Sequence, residues 1–167
     1  VAVVCEQPTR DVPNCILVSN TVDALQKLAK FHREKYTVPV VGITGSNGKT
    51  IVKEWLYSLV KESFNVCKSP RSYNSQIGVP ISLWKLNDHH SLGIFEAGIS
   101  KPGEMANLEQ MVQPTIGVFT HLGVAHLSNF KNQETLLHEK LILFKNTPLI
   151  VCLSENTLVL QELQKLN

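Results

Sequence analysis

The sequence predicts an α/β fold, a mainly parallel sheet with helices on both faces, and two observations predict it. Short apolar β-type runs alternate with segments of helical period along the whole chain, which calls for right-handed crossovers between parallel strands. One of those runs, Val40–Thr44, breaks directly into Gly45-Ser46-Asn47-Gly48-Lys49-Thr50 and then into a helix. That is the strand, loop and helix order of a phosphate-binding loop.

The elements follow in chain order. Val1–Val4 and Ile16–Ser19 are β-type runs joined by a Pro/Asn/Asp-rich connection and read as the tail of a preceding domain. A helix is expected from Asn20, which caps it, with Val22, Leu25, Leu28, Ala29, His32 and Tyr36 at helical spacing. His32 reads as a boundary residue on the packed face. Pro39 punctuates the strand that carries the loop. A helix over Ile51–Ser63 is expected to bury Trp55, Leu56, Leu59 and Val60. A strand at Asn65–Lys68, the turn-rich stretch 69–80, a short helix around Ile81–Leu86 and a polar turn at Asp88-His89-His90 come next. Strand Ser91–Glu96, helix Glu104–Val112, strand Thr115–Thr120, a loop with His121 and His126, helix Gln133–Phe144, strand Leu149–Leu153 and a last helix from Glu155 complete the chain.

Composition narrows the function classes. The 167 residues are 43% hydrophobic and 18% charged, enough for one domain with a real core and a small appendage. Sixteen Lys and Arg against 14 acids leave a net charge of +2, which argues against nucleic acid and against an anionic membrane surface as partners. No apolar stretch has the length of a membrane span. Cys5, Cys15, Cys67 and Cys152 are scattered, and are expected to be small buried residues in a reducing compartment rather than a disulfide framework. The opening on Val1 inside an apolar run suggests a segment excised from a longer chain.

The loop chemistry is explicit. Gly42, Gly45 and Gly48 allow tight turning and close approach of the backbone, and the N–H groups opening the next helix face the same spot as its positive dipole end. Lys49 supplies a point charge for β- and γ-phosphates, and the Thr50 hydroxyl suits a magnesium ion. The general pattern wants glycine where Ile43 stands, so the loop is a variant. Thr44–Thr50, Glu96 and His121–His126 all lie at the carboxyl ends of expected strands, where such sheets bind ligands. Glu96 reads either as an acid for the nucleotide's magnesium or as a helix cap or ion-pair partner. On spacing alone, His126 is either a structural residue or a ligand, and Lys140, beside Glu139, is a solvated lysine on a helix face.

From Pro39 to about Phe144 the chain resembles the central ATP-binding domain of the Mur ligases. The motifs that carry the resemblance are Ile43–Thr50, Tyr73-Asn74-Ser75-Gln76-Ile77-Gly78-Val79-Pro80, Phe95–Glu104, Ala125-His126-Leu127 and Glu139–Phe144. The resemblance implies that Gly45, Ser46, Asn47, Gly48, Lys49, Thr50, Asn74 and Gln76 hold ATP, and that Lys49, His126 and Lys140 serve catalysis. It further implies a first magnesium at Thr50 beside the phosphates, a second magnesium held by Glu96 and His126, and a carbamate of Lys140 as an oxygen ligand for a metal. The implied reaction is amide ligation through an acyl phosphate in peptidoglycan precursor synthesis, in the cytoplasm. The segment Asn74–Pro80 leans, by resemblance, toward UDP-N-acetylmuramoyl-tripeptide and D-alanyl-D-alanine as substrates.

Residues 1–38 then correspond to the tail of a UDP-substrate domain and a linker helix, and 39–167 to a partial central domain. His121 stands where the family usually has asparagine, and Ser75 where many relatives have a second one. Without the remaining domains of the parent, the segment is expected to have no ligase activity alone. A ligase adding a single amino acid, a phosphate-loop kinase or NTPase, and a nucleotide-binding module without chemistry are the competing readings.

Overall fold

The chain is described by a computed structural model covering residues 2–7, 14–123 and 129–166. Strands β1 (Val3–Cys5) and β2 (Cys15–Leu17) form a small parallel pair. The main sheet is built from β3 (Val40–Thr44), β4 (Val66–Lys68), β5 (Leu92–Glu96), β6 (Ile116–Phe119) and β7 (Leu149–Val151). All pairs are parallel, in the order β4-β5-β3-β6-β7. Helices α1 (Thr21–Arg33), α2 (Lys49–Val60), α3 (Gly78–Leu83), α4 (Glu104–Val112), α5 (Gln133–Leu141) and α6 (Thr157–Leu166) make the connections, and a short 3₁₀ turn, Ile142–Phe144, extends α5.

The two faces of the sheet are packed unequally. Alternate side chains of a strand point to opposite faces, so Val40, Phe95 and Phe119 join Ala29, Val79, Met105, Leu136 and Val159 in one large core. Each buried Val, Leu, Phe or Met among them contributes about 1.5–3 kcal/mol. Val41, Ile43, Leu92 and Ile94 face the other way, onto Val52, Leu56 and Val60 of α2. Among the described residues, α2 is the helix that packs on this second face, while the other helices supply the first.

Several expectations meet corrections here. Trp55 and Leu59, expected in the core, are 68% and 78% exposed. With Ile51 they form an outward stripe on α2, because Val52, Leu56 and Val60 already fill the inward one. The short helix α3 begins at Gly78 rather than Ile81, since Ser75 Oγ accepts a hydrogen bond from Gly78 N at 3.1 Å and opens the turn earlier. Cys5 and Cys15 lie diagonally across the β1–β2 pair, where Cys5 is opposite Leu17 and Cys15 opposite Val3, and are joined as a disulfide, Cα–Cα 6.6 Å, so these two are not free buried thiols. Cys67 is buried as expected, and burial pushes its thiol up to about 11.

Caps and packing otherwise follow the residue chemistry. Asn20 Oδ1 accepts from Asp23 N at 2.9 Å and starts α1. His32 packs as a boundary residue, with Nε2 2.8 Å from Leu86 O and its ring stacked on Trp84 at 4.7 Å. Arg33 is buried and donates to Val112 O and Gln113 O, which ties α1 to the end of α4. No helix among the described residues is long and apolar enough to cross a membrane.

Candidate functional site

The strand order fixes where a ligand can sit. The chain leaves β3 toward β4 on one side, and leaves the adjacent β6 toward β7 on the other. Their loops diverge, opening a crevice at the carboxyl ends, which is where ligands bind in open α/β sheets. The loop after β3 is the glycine-rich one. Its floor is welded to the loop after β6: Ser46 N donates to His121 O at 2.7 Å, Ser46 Oγ to Gly123 O at 3.2 Å, and Thr120 Oγ1 to Asn47 O at 2.6 Å. The contact at His121 is through its main chain, so the unusual side chain there leaves this tie unaffected.

Glycine is required at two loop positions. Gly45 has φ +141°, and a Cβ there would lie 2.2 Å from Thr120 Oγ1. Gly48, at φ +83°, caps α2 in the left-handed region. Lys49 is the first residue of α2, and its ammonium bonds Gly45 O at 2.9 Å and Ser46 O at 3.4 Å. Burial pulls its pKa down, and the nearby Glu96 carboxylate pulls it back up. Lys140, 1% exposed on α5, reaches the same carbonyl, Nζ to Gly45 O at 3.3 Å. Burial, and secondarily the charge of Lys49, lowers it to about 8. Lys140 is therefore no solvated surface lysine.

Glu96 closes the end of β5 and is fully buried. Its Oε2 accepts from Thr50 Oγ1 at 3.0 Å and, at a long 3.5 Å, from Asn74 Nδ2. Its backbone N donates to Ser69 Oγ at 3.2 Å. Lys49, Asn74, Ser75, Gly98, Ser100 and Lys140 line a cavity of about 140 Å³. A second cavity, of about 190 Å³, shares Ser75, Gly98 and Ser100 with it and extends to Gln76 and Ile77. Roomier cavities lie elsewhere, such as one of about 360 Å³ between α5 and α6, but no pair of buried lysines converges there.

The predicted site residues divide into three groups. Ser46, Asn47, Gly48, Lys49, Thr50, Glu96, Asn74 and Lys140 are gathered around Gly45 and the end of β5. Gln76 is committed otherwise: its Oε1 accepts from Gln26 Nε2 at 2.9 Å, and its Nε2 donates to Glu104 O at 3.2 Å, so the side chain holds α1 and α4 together. His126 lies outside the described residues. Sequence reasoning missed Lys53, Thr120 and Glu139. Glu139 Oε1 accepts from Gly103 N at 2.7 Å and Met105 N at 3.3 Å, fixing the start of α4 against the helix that carries Lys140. Its place beside Lys140 was the available signal.

A magnesium ion fits this donor set. Glu96 and Thr50 offer hard oxygens, and magnesium is commonly held by one or two carboxylates with phosphate oxygens completing the shell. Among the described residues no group of three or more His, Cys, Asp or Glu gathers into a self-sufficient metal site. Phosphate oxygens and water would complete the shell around these two donors.

The family model of the Mur ligase middle domain matches residues 43–167. A UDP-N-acetylmuramoyl-tripeptide–D-alanyl-D-alanine ligase of Treponema pallidum is 39% identical over 137 residues, covering 81% of this chain and 30% of that protein. The ligase of the same name from Synechocystis is 33% identical over 151 residues, covering 89% of this chain and 33% of the relative. Among solved structures, the MurF ligase from Thermotoga maritima in complex with ADP matches with a TM-score of 0.89 at 31% identity, over 98% of this chain and 39% of that one. The chain thus spans about a third of the length of these curated relatives.

Proposed function

The chain belongs to the Mur ligase middle-domain family, and from that premise we propose that it is the ATP-binding part of a ligase joining D-alanyl-D-alanine to UDP-N-acetylmuramoyl-tripeptide. In that reading residues 1–38 are the end of a preceding UDP-substrate domain with its linker helix, and 39–167 are part of the central domain. The parent works in the cytoplasm on cell-wall precursors. The observation that carries the proposal is the convergence of Lys49 and Lys140 on Gly45, beside the buried Glu96–Thr50 pair.

Each residue has a role in this reading. The amides from Gly45 to Thr50 cradle the phosphates at the start of α2. Lys49 gives up its bonds to the loop carbonyls to bind β- and γ-phosphate oxygens. Thr50 and Glu96, with His126 and a carbamate on Lys140, would hold magnesium, which neutralises clustered oxyanions when bound. The depressed pKa of Lys140 favours the carbamate, because only the neutral amine adds to carbon dioxide, and the adduct is an oxygen ligand rather than a cation. Asn74 steadies Glu96 and borders the cavity where the substrate carboxylate takes up the γ-phosphoryl group of ATP, with ADP as the leaving group. The incoming amine then displaces phosphate from the acyl phosphate.

The full-length parent, given ATP, magnesium and UDP-N-acetylmuramoyl-tripeptide, is tested with D-alanyl-D-alanine and, separately, with single amino acids, reading product mass. The proposal expects the muramoyl-pentapeptide from the dipeptide alone. Extension by a single residue would replace it with another Mur-type addition.

A further inference from the structure

One buried cation beside the site has no assigned part. Lys53 lies one helical turn past Lys49 on α2 and is fully buried. Its ammonium sits 2.8 Å from Glu96 Oε1, with both side chains shut off from solvent. The same ammonium contacts Glu54 Oε1 at 3.2 Å and donates to Arg71 O. Arg71 has φ +48°, a left-handed conformation that non-glycine residues rarely adopt. Lys53 is thus held from several sides at the root of the loop that carries Asn74.

The carboxylate it contacts has two unlike oxygens. Oε2 carries Thr50 and Asn74, and Asn74 borders the cavity. Oε1 has the Lys53 ammonium against it, an ion pair at 2.8 Å. Lys49 and Lys140 line the cavity and Lys53 does not. Two lysines therefore face a ligand, while the third stands behind the acid. A buried carboxylate needs a paired charge, and groups behind a metal ligand set its orientation and affinity.

We infer that Lys53 is a positioning residue for the metal site, pinning Glu96 Oε1 in the interior so that the carboxylate offers Oε2 alone to a divalent cation. The inference rests on the reading of Glu96 as a metal ligand. Without the pin, the carboxylate is free to turn toward Lys49 or to chelate through both oxygens. Magnesium's small octahedral shell disfavours that second arrangement.

Two measurements on the full-length parent test it. In a crystal structure with ADP and Mn²⁺, Glu96 should bind the metal through Oε2 only, with Lys53 still in contact with Oε1. Metal on Oε1 with Lys53 turned away overturns the inference, and metal with no contact to Glu96 overturns both it and the reading beneath it. This structure needs no variant, so it stands even if Lys53→Met, which strands a buried carboxylate, fails to fold.

The second measurement is ADP affinity with Mn²⁺ and with EDTA, for Lys53→Met and Glu96→Gln. Both should lose about tenfold of the metal-dependent gain while changing binding in EDTA less than about twofold. A Lys53→Met protein that keeps the full gain while Glu96→Gln loses it overturns the inference and leaves the reading of Glu96 intact. If both keep the gain, both ideas fall.

Discussion

At Lys140 the whole reading turns on one nitrogen. The residue looked like an ordinary helix-face lysine in the sequence, because burial and the approach to Gly45 O depend on contacts made far away along the chain. Its pKa of about 8, against the ordinary 10.5, has a stability consequence. Below about 8 the amine is charged in both states, and the folded chain carries the full desolvation cost. Between about 8 and 10.5 the unfolded chain binds the proton more, so stability rises with pH across that window. In carbon dioxide-free buffer, Lys140→Met should therefore stabilise the chain at pH 7, and the advantage should shrink toward pH 10.5, as read by urea midpoints. Gly45 gives a second residue-scale prediction. Gly45→Ala drives a Cβ toward Thr120 Oγ1 at a φ that side chains avoid, so calorimetry should find nucleotide affinity down by at least about tenfold, roughly the loss of one charge-assisted contact.

Among the elements, α4 and α2 show what periodicity does and does not reveal. Helix α4 was legible to the residue, at Glu104–Val112, and in the structure Gly103 and Gln113 bound it, both in the left-handed region. The presence of α2 after the loop was legible too, although it starts at Lys49, two residues before the expected Ile51. Its buried face was not, because α2 carries two apolar stripes, Val52-Leu56-Val60 and Ile51-Trp55-Leu59, and only packing on the sheet chooses between them. Lys53 was hidden for a related reason: a lysine reads as exposed until its partner Glu96 is seen on a neighbouring strand. The choice of face is measurable. Leu56→Ala should cost about 2 kcal/mol in a denaturation experiment, whereas Trp55→Ala, on the solvent side, should change stability by less than about 0.5 kcal/mol.

For the whole molecule, the parallel sheet, the phosphate loop and the meeting of Thr44–Thr50 with Glu96 at the strand ends were readable from order and spacing alone. The roles of Glu96 and Lys140 were not, since each had a bland reading until the motifs were taken together. Gln76 illustrates the converse: its motif pointed to nucleotide, and its side chain joins α1 to α4. The chain spans about a third of its curated relatives, and a site of two lysines, one acid and a loop can hold nucleotide without completing two substrates. The isolated chain should accordingly show no amide ligation when assayed for product by mass spectrometry.

Phosphate release by the full-length parent, with ATP, magnesium, UDP-N-acetylmuramoyl-tripeptide and D-alanyl-D-alanine each omitted in turn and Lys140→Ala assayed alongside, tests the ligase reading most directly. The account predicts release that requires both the nucleotide-sugar peptide and the dipeptide and that collapses in the variant. Release that ignores the peptides and survives the substitution would contradict it, leaving a phosphate-loop NTPase in its place.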